Sequence, residues 1–141
     1  MVIAGLGFTL ALALTATPAL ADHVFAERCT GSENVQIGSQ APKTLPYSLT
    51  FSADLEKHAY CYGACGKAQS FPISDAGSTP IKLADIELVG QIRRTTYDPQ
   101  TSSLADYQVF NAGVALVTRH AIATCKPAEF HRPWPQPSVH R

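Results

Sequence analysis

No long stretch of this chain repeats its apolar residues on a 3.6-residue period, and one stretch alternates strictly. Tyr47, Leu49, Phe51, Ala53 and Leu55 are separated by Ser48, Thr50, Ser52 and Asp54, a period of two over nine residues. Only a β-strand gives such a segment one apolar and one polar face. From Val35 to Cys125, β-formers and turn residues interleave. A turn at Asp54–Lys57 leads into a strand at His58–Tyr62, and Ala68–Ile73 reads as a weak edge strand because it contains Pro72. Ser74–Pro80 is loop. Ile81–Leu88 alternates at both ends, and its phase slips across Ala84 and Asp85, as a bulge or bend produces. Gln91–Tyr97, Leu104–Phe110 and Val114–Cys125 follow, with turns at Asp98–Ser103 and Asn111–Gly113 between them. Ala105, Tyr107 and Val109 share one side of their strand, and the last segment is one long strand or a pair bent near Arg119 and His120. Connections this short cannot hold crossover helices. The expected fold is all-β: an antiparallel meander of six to eight strands, forming a small barrel or a two-layer sandwich. About 90 ordered residues would fill such a barrel with their own side chains, leaving no lipid-sized cavity.

The 141 residues suit one domain, and 11 Lys+Arg balance 11 Asp+Glu. Formal neutrality weighs against nucleic acid or an anionic membrane surface as a partner, since both are normally met by excess Lys and Arg. Met1–Ala21 contains no charged residue, and its apolar run ends in Pro18 and then Ala19-Leu20-Ala21, the small-x-small pattern of a signal peptidase site. Thr15, Thr17 and Pro18 interrupt that run and no basic cluster follows it, which disfavours a membrane anchor. The expectation is a signal peptide at 1–21, no stable membrane span after its removal, and a secreted or periplasmic product. The usual positive leader is missing, because only Met1 and Val2 precede Ile3, which suggests a misplaced start or a truncated fragment. Removing residues 1–21 from the 141 leaves 120. Of these, 22–126 form the predicted β domain and 127–141 a tail with four prolines. Its Pro133-Trp134-Pro135-Gln136-Pro137 core favours extended polyproline backbone. The tail is expected to be disordered or loosely draped, the sharper alternative being that Phe130 and Trp134 dock.

In an oxidising compartment Cys29, Cys61, Cys65 and Cys125 are expected to pair, and four cysteines allow three connectivities. The favoured set is Cys29–Cys125, closing a loop of roughly 100 residues worth about 4–5 kcal/mol on the chain-entropy model, and Cys61–Cys65, spanning Tyr62-Gly63-Ala64 for about 2 kcal/mol. The functional alternative is a redox or copper-handling site built from His58, Cys61 and Cys65. The spacing is not C-x-x-C, and a strand through this segment tends to put His58 and Cys61 on opposite faces.

Catalytic templates fail in turn. There is no G-x-S-x-G, no G-x-G-x-x-G and no phosphate loop, and no cofactor is implied. Asp54, Asp75 and Asp98 fall at turns, where capping is the default. His120 reads as a strand-end histidine rather than a base. Arg93 and Arg94 point to opposite faces, so at most one of them meets an anion. Tyr60, Tyr62, Tyr97 and Tyr107 read as core or rim packing.

Cys29-x-Gly31, Ser48–Leu55, Tyr60-Cys61 with Cys65, the Arg93-Arg94-Thr95-Thr96 hairpin and Ala123-Thr124-Cys125 before a Pro/Phe tail together resemble a group of small exported bacterial proteins of uncharacterised function. In that group two cysteine pairs staple a β-rich domain. The resemblance implies a periplasmic or secreted location and no catalytic residues. Thr101-Ser102-Ser103 departs from the Thr-Gly turn such proteins often carry. The reading that results is a non-enzymatic binding or accessory domain with an unknown ligand or an envelope protein as partner. A redox or copper-handling protein and a periplasmic enzyme inhibitor are the alternatives.

Overall fold

The computed structural model describes residues 23–137; the expected signal peptide at 1–21 lies outside them. Eight strands follow one another: β1 Val24–Ile37, β2 Lys43–Asp54, β3 Ala59–Tyr62, β4 Ser70–Pro72, β5 Ile81–Leu88, β6 Gln91–Asp98, β7 Ser103–Asn111 and β8 Leu116–Pro127. All pair antiparallel in one sheet of order β4-β3-β2-β1-β8-β7-β6-β5. Each strand therefore bonds its neighbours in sequence, and β1 closes on β8. The remaining seam, β4 to β5, is stitched by an Asp75–Lys82 bridge and a bond from Ser74 N to Leu83 O of 3.2 Å. The result is a nearly closed up-and-down barrel rather than a sandwich. Only a short 3-10 turn at Lys67–Gln69 is helical among the described residues. No helix there is long and apolar enough to cross a membrane.

Alternation places the core. Phe25, Phe51 and Tyr97 meet ring to ring at 5.3–5.9 Å, and Tyr60, Tyr62 and Phe71 form a second aromatic cluster at 5.4–5.7 Å. Phe51, Leu83 and Leu104 are fully buried, each contributing about 1.5–3 kcal/mol by burial alone. The expected phase slip in β5 is a bulge between Lys82 and Ala84, one residue earlier than the pattern suggested, and it lets consecutive Leu83 and Ala84 both face inward. The turn aspartates cap as expected: Asp54, Asp75 and Asp98 accept from the backbone N of Lys57, Gly77 and Gln100 at 2.9–3.0 Å.

Both expected disulfides are present, and no free cysteine remains. Cys29–Cys125 joins facing residues of β1 and β8, so it fastens the first strand to the last at the closing seam. Gly31 sits two residues further along this seam. A Cβ there would lie 2.0 Å from Ile122 O, so only glycine permits the approach.

Three expectations need correction. β1 was not legible upstream of Val35, because its inward positions are Phe25, Glu27, Cys29, Gly31 and Glu33, which mix charge, sulfur and glycine. On β7 the shared side of Ala105, Tyr107 and Val109 is the outer one; Leu104 and Asp106 are buried inside. The tail is neither disordered nor anchored by its rings. Ala128 N bonds Ala26 O (2.9 Å), His131 N bonds Ser52 Oγ (3.0 Å) and Trp134 N bonds Ser70 Oγ (2.9 Å). Pro133 is buried, Phe130 is half-buried and Trp134 remains half exposed. This strap crosses the outside of β2–β4 and explains why the outward Ser52, Ala59, Cys61 and Ser70 are buried. Proline fixes its extended backbone in advance, so ordering it costs less entropy.

Candidate functional site at the open end of the barrel

One end of the barrel is closed by the aromatic core; the other is unlike it. Ten large apolar side chains are exposed among the described residues, and seven of them (Ile37, Leu45, Ile86, Leu88, Val89, Val114 and Leu116) lie at this second end. Val89 and Val114 project fully into solvent from hairpin tips. The tips at 38–42, 89–90 and 112–115 contain no charged residue. Gly90 and Gly113 take positive φ there, which the tight reversals require. Gly38 N bonds Leu116 O at 2.8 Å and Asn111 N bonds Gly90 O at 3.2 Å, so separate hairpins form one continuous rim. β3 and β4 are too short to reach it, which leaves the Lys43–Thr50 half of β2 unpaired on that side and makes room for Pro46 within a strand.

Beneath the rim the inner wall turns polar. Register places Arg93, Gln108, Arg119 and Val35 in one row across β6, β7, β8 and β1, with Thr95, Asp106, Ala121 and Glu33 in the next. Asp106 is buried and accepts from Thr95 Oγ1 (2.8 Å), Gln108 Nε2 (2.9 Å) and Tyr47 Oη (3.1 Å), with Arg93 Nε 3.9 Å away. Arg93 also donates to Tyr62 Oη and to Thr95 Oγ1, and its guanidinium sits 5.3 Å from the Tyr62 ring centre. Arg119 clamps buried Glu33 through Nε (3.1 Å) and Nη2 (2.7 and 3.0 Å). Two guanidiniums thus balance two carboxylates. Burial pushes the Tyr47 phenol well above the ordinary tyrosine range, and the neighbouring Asp106 carboxylate adds to this. Burial does the same to Tyr62 despite nearby Arg93. Both phenols therefore remain donors at any physiological pH.

Every carboxylate oxygen of this belt already accepts a hydrogen bond, whereas Nη1 of Arg93 and Nη1 of Arg119 have no partner among the described residues. The belt's spare capacity is that of a donor. A cleft of about 680 Å³ opens beside it, lined by Val89, Gly90, Gln91, Arg93, Gln108 and Phe110 among others. Thr95 is the only hydroxyl in contact with Asp106 besides Tyr47, and no histidine joins them, so this arrangement binds and positions rather than generating a nucleophile.

The residues singled out from sequence fare unevenly. Cys61 and Cys65 are bonded to each other, and Cys61 is covered by the strap, its Sγ 3.6 Å from His131 O. His58 sits exposed in the β2–β3 turn with φ of 51°. His58, Cys61 and Cys65 form no metal-holding cluster, and none exists among the described residues. Arg93 and Arg94 do face opposite ways: Arg93 lies inside, and Arg94 pairs outside with Asp85 and Glu87. Tyr60 and Tyr97 are core residues, Tyr62 belongs to the belt, and Tyr107 packs outside against exposed His120. Glu33, Tyr47, Asp106, Gln108 and Arg119 were missed. Their signal was present: each shares a phase with an inward neighbour, Asp106 with Leu104 and Arg93 with Tyr97. Comparison with protein-family models, with curated proteins and with solved structures gives no match for this chain.

Proposed function

We propose that this chain is an exported, non-catalytic binding domain whose contact surface is the open end of the barrel. Export is supported by the uncharged apolar segment at 1–21 and by two disulfides, which persist in an oxidising compartment. The observation that carries the binding role is the concentration of exposed apolar side chains at one end, on tips without charge, above a polar interior. Scattered surface leucines and valines are ordinary, but a contiguous apolar ring around a concave mouth marks a contact site.

Amide chemical-shift mapping on the oxidised protein tests this reading, using periplasmic and membrane extract separated into small-molecule and protein fractions. Shifts confined to Ile37, Leu45, Leu88, Val89, Val114 and Leu116 are expected, and they should vanish in a Val89→Asp/Val114→Asp variant. Shifts centred on the strap or on the β2–β4 face would overturn it. So would turnover of an envelope substrate that a single Asp, Glu or His substitution abolishes.

A further inference from the structure

We infer that the open end takes a small apolar molecule whose head is a neutral hydrogen-bond acceptor, such as a ketone, ester or amide carbonyl, lowered onto Arg93 and Arg119. This deepens the binding role proposed above and rests on it. Three observations select that chemistry. First, the rim that a ligand must pass is apolar, and Phe110, Val89 and the stem of Gln91 continue that character into the cleft of about 680 Å³, a size usual for small-molecule sites. Second, the polar groups below offer only donors. Asp106 and Glu33 are saturated by Thr95, Tyr47, Gln108 and Arg119, while the outer Nη1 atoms of the two guanidiniums are unused among the described residues. A donating head would find no acceptor and would lose its own hydration, so alcohols and amines are disfavoured relative to carbonyls.

Third, charge decides between a carboxylate and a neutral carbonyl. The belt holds Arg93 and Arg119 against Asp106 and Glu33, so it is already balanced. A carboxylate would add a third negative charge to an enclosed site with two positive ones, and its desolvation would be only partly offset. A neutral carbonyl accepts the same donors without that penalty. The two arginines are held for this role: Glu33 fixes Arg119 in a bidentate clamp, and the Tyr62 ring with Asp106 fixes Arg93, so little side-chain freedom remains to be lost on binding.

The test uses the oxidised domain and a series of matched ten-carbon chains: 2-decanone, decanoate and decylamine at pH 7. Binding is followed by calorimetry and by the arginine side-chain NH resonances. The expected order is ketone first, decanoate at least fivefold weaker, and amine weakest, with the arginine signals moving for the ketone. A Glu33→Leu/Arg119→Leu variant removes the charged pair as a unit. It should weaken the ketone about three- to tenfold, the loss of one hydrogen bond, while Val89→Asp weakens all three probes alike. Decanoate binding as tightly as the ketone, or ketone binding that ignores the Glu33/Arg119 variant, overturns the assignment of the head group. No binding of any probe overturns the amphiphile itself. The wider binding role then still stands or falls by the extract mapping.

Discussion

Replacing Arg119 by leucine should destabilise the barrel far more than replacing Arg119 and Glu33 together. Glu33 is only 7% exposed, and three hydrogen bonds from Arg119 are what its carboxylate receives. Breaking a buried ion pair from one side costs about 3–5 kcal/mol, because the surviving charge is left without a partner. Here the Arg119 side chain is 36% exposed, so water at the mouth replaces part of the lost interaction, and about 2–3 kcal/mol is the appropriate range. For a domain of this size that corresponds to a fall in Tm of roughly 8–12 °C. Changing both residues to leucine removes the stranded charge and adds apolar surface beside Val35 and Ala121, so the double variant should lie within about 1 kcal/mol of the parent. Urea unfolding with the disulfides intact measures all four corners of the cycle at constant m-value. A single variant costing under 0.5 kcal/mol, or a double variant as damaged as the single, would refute the argument that Glu33 depends on Arg119.

The buried phenols predict alkaline lability. Burial raises Tyr47, Tyr60, Tyr62 and Tyr97 in the folded state. The native form therefore keeps protons that the unfolded form releases near pH 10, and this stabilisation, complete below pH 10, is lost as the pH climbs past it. Absorbance at 295 nm should show these four ionising together with loss of near-ultraviolet circular dichroism; independent ionisation in the folded state near pH 10 would contradict it. Gly31→Ala should cost at least about 2 kcal/mol by urea unfolding, since the added Cβ meets backbone at the β1–β8 seam and has nowhere to move. Ending the chain after Pro127 should leave the barrel folded but speed dithiothreitol reduction of Cys61–Cys65, which mass mapping reads directly. An unchanged rate would mean that the strap does not shield the pair.

Much of the architecture follows from local rules that act wherever the chain is. The strict alternation of Tyr47–Leu55, the slip near Ala84 and the turn residues at Asp54 and Asp98 report strand, bulge and reversal because each depends on neighbours only a few residues away. The cysteine pairing was also accessible, since short spacing and chain ends leave few sensible partners.

What only the closed barrel decided is which face of each strand turns inward and what lies opposite it. Asp106 and Arg119 read as surface residues in a linear chain, and they become an interior belt because Ala121 and Gln108 bring them into register across β7 and β8. Glu33 meets Arg119 from 86 positions away. The strap's serine contacts, 64 and 79 residues apart, are equally invisible to any window on the sequence. Periodicity is a property of the backbone and is written locally, whereas the partner of a buried charge is set by strand register and closure, which exist only once the whole sheet has formed.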